Sequence, residues 1–117
     1  MIYELAIRLK AEVLEVVGLV AGVERTFLRD QLDRKSTSVP LLVKQAAGSE
    51  SLVEQRAVYA KARRVTQDCL AVLDELVGSI EPTILRAAQH TAQALIDALG
   101  PLSVPPPLTR EIESGIE

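Results

Sequence analysis

Tryptophan is absent from this 117-residue chain, and only three aromatic side chains occur: Tyr3, Phe27 and Tyr59. Cys69 is the one cysteine and His90 the one histidine. A single cysteine excludes a disulfide framework and a cysteine-based zinc site. A single histidine excludes multi-histidine metal sites and disfavours most hydrolytic triads. Gly and Pro number six each and gather at a few points. A β-sandwich or barrel would need strands with turn signals recurring every ~8–12 residues, which is not the pattern here. Long hydrophobic runs are also missing. The apolar stretch from Met1 to Val20 is broken by Glu4, Arg8, Lys10, Glu12 and Glu15. A signal peptide needs roughly 7–15 uninterrupted apolar residues and a membrane span about 20. The expectation is a cytoplasmic protein with one reduced thiol and no membrane partner.

What is present is Ala, Leu, Val and Ile. Hydrophobic residues make up 48% of the chain and charged residues 25%, a globular composition at a length suited to one compact domain. Ile2, Leu5, Leu9, Val13, Val16 and Val20 fall three and four apart, which predicts a first helix over about 2–20. Gly22 then offers a left-handed cap. A second helix is expected from about Glu24–Phe27, buried through Leu28, Leu32, Val39, Val43 and Ala46 and ended by Gly48-Ser49. Pro40 lies inside it, removes one backbone donor and crowds the Ser36 carbonyl, so a kink, or a restart capped by Ser38, is expected there.

Ser51-Leu52-Val53-Glu54 reads as a capping box opening a third helix. Val58, Ala62, Val65, Cys69, Val72, Leu76 and Ser79 continue it as a heptad seam, and the helix expected from Ser51 to Ser79 is about 43 Å long at 1.5 Å per residue. A second stripe, Leu70, Leu73, Val77 and Ile80, runs beside the seam. Pro82 starts a fourth helix whose inner face is Ile84, Leu85, Ala88, Ala92, Leu95 and Leu99, with Gly100-Pro101 as its end. The expected fold is therefore all-α: an antiparallel, up-down-up-down four-helix bundle over 1–100, its second helix kinked at Pro40. A Pro-rich flexible tail follows over 101–117. Leu14, Leu19, Leu41 and Leu70 fall off the inner seams. They either widen the core or lie between subunits of a homo-oligomer.

Charge is uneven. The chain's net charge is −3, yet residues 25–64 hold nine bases against four acids, +5, while the remainder holds four bases and twelve acids, −8. A phosphate backbone needs a basic stripe. The candidate nucleic-acid contacts are Arg29, Arg34, Lys35, Lys44, Arg56, Lys61, Arg63 and Arg64. Only Tyr59 interleaves them, which gives little support to base stacking. The same face can instead meet the acidic face of a neighbouring subunit.

No set of catalytic residues assembles from these residues. His90 has no partner at a spacing that suggests a base, and Cys69 sits on the heptad seam as a small core residue. Asp74, Glu75 and Asp97 lack the Glu-x-x-His pattern of di-iron bundles. Gly18 and Gly22 fit no phosphate loop or dinucleotide fingerprint. No enzyme activity, metal, cofactor or small-molecule substrate is expected.

The order of features resembles a known family. Asp30-Gln31-Leu32-Asp33-Arg34, Ser38-Val39-Pro40, the turn at Gly48, then a long helix with Tyr59 and the run Cys69-Leu70-Ala71-Val72-Leu73-Asp74-Glu75-Leu76 are similar to the bacterial four-helix-bundle family. That family includes proteins encoded in intervening sequences of large-subunit ribosomal RNA and the accessory variability protein of diversity-generating retroelements. The resemblance covers about residues 2–100. After Ser-Val-Pro, where the family carries Asn and then Ala-Glu-Gly, this chain reads Leu42 and Lys44-Gln45-Ala46. The resemblance implies a homopentameric ring, a basic surface that binds RNA or DNA, and a reverse transcriptase as partner. A protein–protein adaptor of the same fold, without nucleic-acid binding, is the alternative.

Overall fold

The structure, a computed structural model, describes residues 1–103; the Pro-rich tail expected over 101–117 lies outside the described residues from 104 onward. Four α-helices make up the described chain, with no strand among them: α1 (Ile2–Leu19), α2 (Thr26–Ala47), α3 (Leu52–Glu75) and α4 (Pro82–Ser103). A short 3-10 turn, Val23–Arg25, leads into α2. The described residues form an all-helical bundle. α1 packs on α2 and α4, and α3 packs on α2 and α4.

The core follows from the helical period. Ala6, Leu9, Val13 and Val16 turn inward from α1, and Leu32, Val39 and Val43 from α2. Ala62, Cys69, Val72 and Leu73 come from α3, and Leu85, Ala88, Ala92, Leu95 and Leu99 from α4. Fully burying a Val or Leu side chain stabilises by about 1.5–3 kcal/mol, so these rows outweigh helix propensity in holding the fold. Three polar side chains are buried with them: Ser36, Thr66 and Thr91. Thr66 Oγ1 donates to the Ala62 carbonyl at 2.8 Å and Ser36 Oγ to the Asp33 carbonyl at 3.1 Å. Each hydroxyl thereby satisfies itself one turn back and leaves its carbons to pack apolar neighbours.

The capping box holds in one direction: Ser51 Oγ accepts from the Glu54 backbone N–H at 3.2 Å. Glu81 serves α4 in the same way, taking the N–H groups of Thr83 and Ile84 at 3.2 Å each. These carboxylate contacts sit on the positive end of the helix dipole.

Four expectations change. α3 stops at Glu75, four residues before Ser79, because the backbone tightens over Leu76–Ser79 and Gly78 takes φ +86°. Val77, placed by periodicity on a second inner stripe, is 63% exposed on that turn. Gly22 has φ 99° and ψ 139°, which is not the left-handed cap geometry; α1 ends on extended Val20 instead. α4 runs through Gly100-Pro101 to Ser103. There proline removes only one bond near the helix end, and Ser103 Oγ supplies another by donating to the Leu99 carbonyl at 2.6 Å. Finally, α2 runs through buried Pro40 without a break, so no restart occurs at Ser38, whose hydroxyl donates back to the Lys35 carbonyl at 2.8 Å.

Candidate nucleic-acid interface

Helical spacing sorts the basic residues by direction before any contact is considered. On α2, Leu28, Lys35 and Leu42 lie seven apart on one row. Leu28 and Leu42 pack against the core, so Lys35 occupies the charged place in an otherwise apolar row facing α3. Its Nζ meets Asp68 Oδ2 at 3.3 Å. Arg34, the next residue round the helix, is exposed. Gln31, Arg34, Lys35, Ser38 and Val65 line an open groove between α2 and α3.

On α3, Lys61 lies one turn before Val65 and Arg64 one turn before Asp68; both bases are exposed. Arg34 and Lys35 thus line the α2–α3 groove, and helical spacing sets exposed Lys61 and Arg64 on the face of α3 that carries Val65 and Asp68. Farther along, the groove changes character. Phe27, Leu28, Gln31, Ala71, Val72 and Glu75 line it there beside Lys35 and Asp68. Acidic Asp68 and Glu75 bound the basic part on that side.

The other four candidates turn elsewhere. Arg63 faces α4, its Nε donating to the Ile96 carbonyl at 3.1 Å. Arg56 Nη1 donates to the Pro101 carbonyl at 3.4 Å. Lys44 turns to α1, with Nζ 5.8 Å from the centre of the Tyr3 ring, a cation–π distance. Arg29 is half-buried, one turn before Asp33, which borders α1.

Asp68 and Ser38 also belong to the groove, and neither stood out in the sequence as a basic-surface residue. Asp68 neutralises Lys35, and only the 28–35–42 row hinted that Lys35 would meet α3. The nucleophile and base candidates lie apart. Cys69 is fully buried, and burial pushes its thiol up from 9.0 to about 12, with nearby Lys35 pulling down and Asp68 pushing up by less. His90 is exposed on α4. Asp74 accepts from Gln89 at 2.8 Å and Asp97 from Gln93 at 3.0 Å. Among the described residues, no three His, Cys, Asp or Glu side chains come together as a metal-holding group, and no helix is long and apolar enough to cross a membrane.

No family model, no curated protein and no solved structure matches this chain.

Proposed function

We propose that this chain is a non-catalytic, self-associating helical-bundle accessory or scaffold protein that contacts nucleic-acid phosphates through the α2–α3 groove. The observation that carries the reading is that Arg34 and Lys35 line that groove, with exposed Lys61 and Arg64 set by helical spacing on the same side of α3. Lysine and arginine on one face are the electrostatic footprint of phosphate binding. Lys35 contributes less than the other three because Asp68 already holds it. The resemblance of residues 2–100 to the four-helix-bundle family supports RNA or DNA as ligand and a reverse transcriptase as protein partner. It also supports a homopentameric ring.

An up-down-up-down, antiparallel run of the helices is part of this reading. In its support, residues joined between neighbouring helices advance in opposite directions. Lys35 meets Asp68 while Ala46 meets Gln55, and Arg63 meets Ile96 while Asp74 meets Gln89. A bend of α2 at Pro40 belongs to it as well, supported by the missing donor and by the Ser36, Thr37 and Ser38 hydroxyls that bond back into the preceding turn.

The test is a fluorescence-anisotropy titration of a structured RNA and a DNA duplex at low and at physiological salt. Binding is expected to fall steeply with salt, because each neutralised phosphate releases counterions. Arg34→Glu, Lys61→Glu and Arg64→Glu together are expected to abolish it while the helical circular dichroism stays unchanged. No salt-sensitive binding by the wild-type chain, even at low salt, overturns the reading in favour of the protein–protein adaptor. Exposed Phe27, at 66%, beside Asp68 and Glu75 is the observation that favours that adaptor.

A further inference from the structure

α1 has two apolar faces, and the bundle uses one. Ala6, Leu9, Val13 and Val16 are buried inside. On the outer side Ile7, Ala11, Leu14 and Gly18 follow at spacings of four, three and four, and all four are exposed, Leu14 at 64%. Ile7, Ala11 and Leu14 line a shallow, mostly apolar groove bordered by Lys10 and by Asp33 of α2. This is a heptad seam with no partner inside the described chain. Gly18 adds an independent sign. A glycine within a helix destabilises it by about 0.5–1 kcal/mol relative to alanine. Here a Cβ would meet nothing within 4 Å, so no neighbour in the described bundle requires the small residue.

We infer that this seam pairs with the same seam of a second copy, antiparallel and about a two-fold axis. The order of side-chain sizes is self-complementary in that arrangement. Ile7 lies opposite the partner's Gly18, and Leu14 opposite the partner's Ala11, so each layer holds one large and one small side chain. Layers of this kind have similar volume and let the helix backbones approach evenly. A parallel pairing would set Ile7 on Ile7 and Gly18 on Gly18, alternating crowded layers with empty ones. Charge selects the same register. Arg8 and Glu15 flank the seam on one side, seven residues apart. Reversing one helix brings Arg8 against the partner's Glu15, and the two-fold axis repeats the pair. Flanking charges of this kind set partner orientation in coiled coils.

Such a contact is isologous and closes on two subunits, whereas a ring needs two different faces per subunit. The inference rests on the self-association in the reading above, with two copies in place of the five-subunit ring that the resemblance implies, and is independent of nucleic-acid binding.

The experiment is sedimentation equilibrium of the full chain over a range of concentrations, without nucleic acid. The seam predicts a species of twice 12.7 kDa. Leu14→Glu is expected to raise the dissociation constant by about tenfold or more, as loss of a central interface anchor does. Its circular dichroism should not change, since the side chain is outside the core. Arg8→Glu alone and Glu15→Arg alone should each weaken self-association, because each sets like charges against one another. Mixed in equal amounts, those two variants should form a heterodimer, since every flanking pair is then of opposite sign. Recovery on mixing supports the antiparallel seam; no recovery overturns it. A monomer at all concentrations overturns the seam together with the self-association it rests on. A five-subunit species indifferent to Leu14→Glu overturns the seam alone and leaves the ring standing.

Discussion

Arg63 Nε donates to the Ile96 carbonyl oxygen at 3.1 Å, tying the middle of α3 to the last turns of α4. The guanidinium lies beside Gly100, where a Cβ would stand 3.7 Å from Nε. Arg64, its neighbour in sequence, points about 100° away and is exposed. Two adjacent arginines therefore do different work, one within the bundle and one available at its surface.

Urea denaturation separates them. Arg63→Ala is expected to destabilise the fold by about 1–3 kcal/mol, as the loss of a half-buried charged donor does. Arg64→Ala should stay within about 0.5 kcal/mol of wild type, the range of an exposed substitution. Equal losses from the two variants would contradict this division.

Cys69 makes stability depend on alkaline pH. Its folded-state pKa is about 12, raised from 9.0, so between those values the unfolded chain loses the thiol proton and the folded chain keeps it. Stability contributed by the neutral buried thiol is constant below pH 9 and falls above it, by at most about 1.4 kcal/mol per pH unit until the folded thiol also ionises. Comparing wild type with Cys69→Ala at several pH values from 8 to 11 isolates this slope from that of lysine and tyrosine. The difference between the two proteins should shrink as pH rises. The same burial predicts slow native-state alkylation of Cys69 at pH 8, accelerated by denaturant.

Pro40 is buried inside α2, which runs through it. Alanine there restores a donor to the Ser36 carbonyl and removes the ring's crowding of that turn. Pro40→Ala is expected to keep or raise helical circular dichroism and the midpoint of thermal unfolding. A marked loss of helicity would mean that the ring fills core volume that alanine cannot replace.

Ser51→Ala removes the side-chain acceptor from the Glu54 N–H. The expected loss is about 1 kcal/mol, read as a lower urea midpoint with an unchanged slope. A changed slope would show that more than the first turn of α3 depends on the cap.

Much of the bundle is legible in local spacing. Leu9, Val13 and Val16 mark the inner face of α1 as Leu85, Ala88 and Ala92 mark that of α4, because burial repeats with the helical period. Helix ends are less legible. Val77 and Ile80 carry the apolar period past Glu75, although the backbone has already left the helix; from that turn Ile80 packs against the core and Val77 faces outward. Gly100-Pro101 reads as a stop, yet a proline near a C-terminus costs a single bond, and half-buried Leu102 continues one turn farther with it. Thr66 and Ser36 escape an apolar reading because their hydroxyls bond to their own helices.

The basic bias of residues 25–64 is a property of the sequence alone, since composition needs no partner. Where each cation goes is a tertiary matter. Lys35 and Arg34 are neighbours in sequence. Lys35 is held by Asp68, and among the described residues Arg34 has no ion pair, because the adjacency of α2 and α3 brings an acid 33 residues distant to one position on the helix and not to the next. Helix formation is decided within a few residues of the chain, and a side chain's partner by which helix stands across the groove.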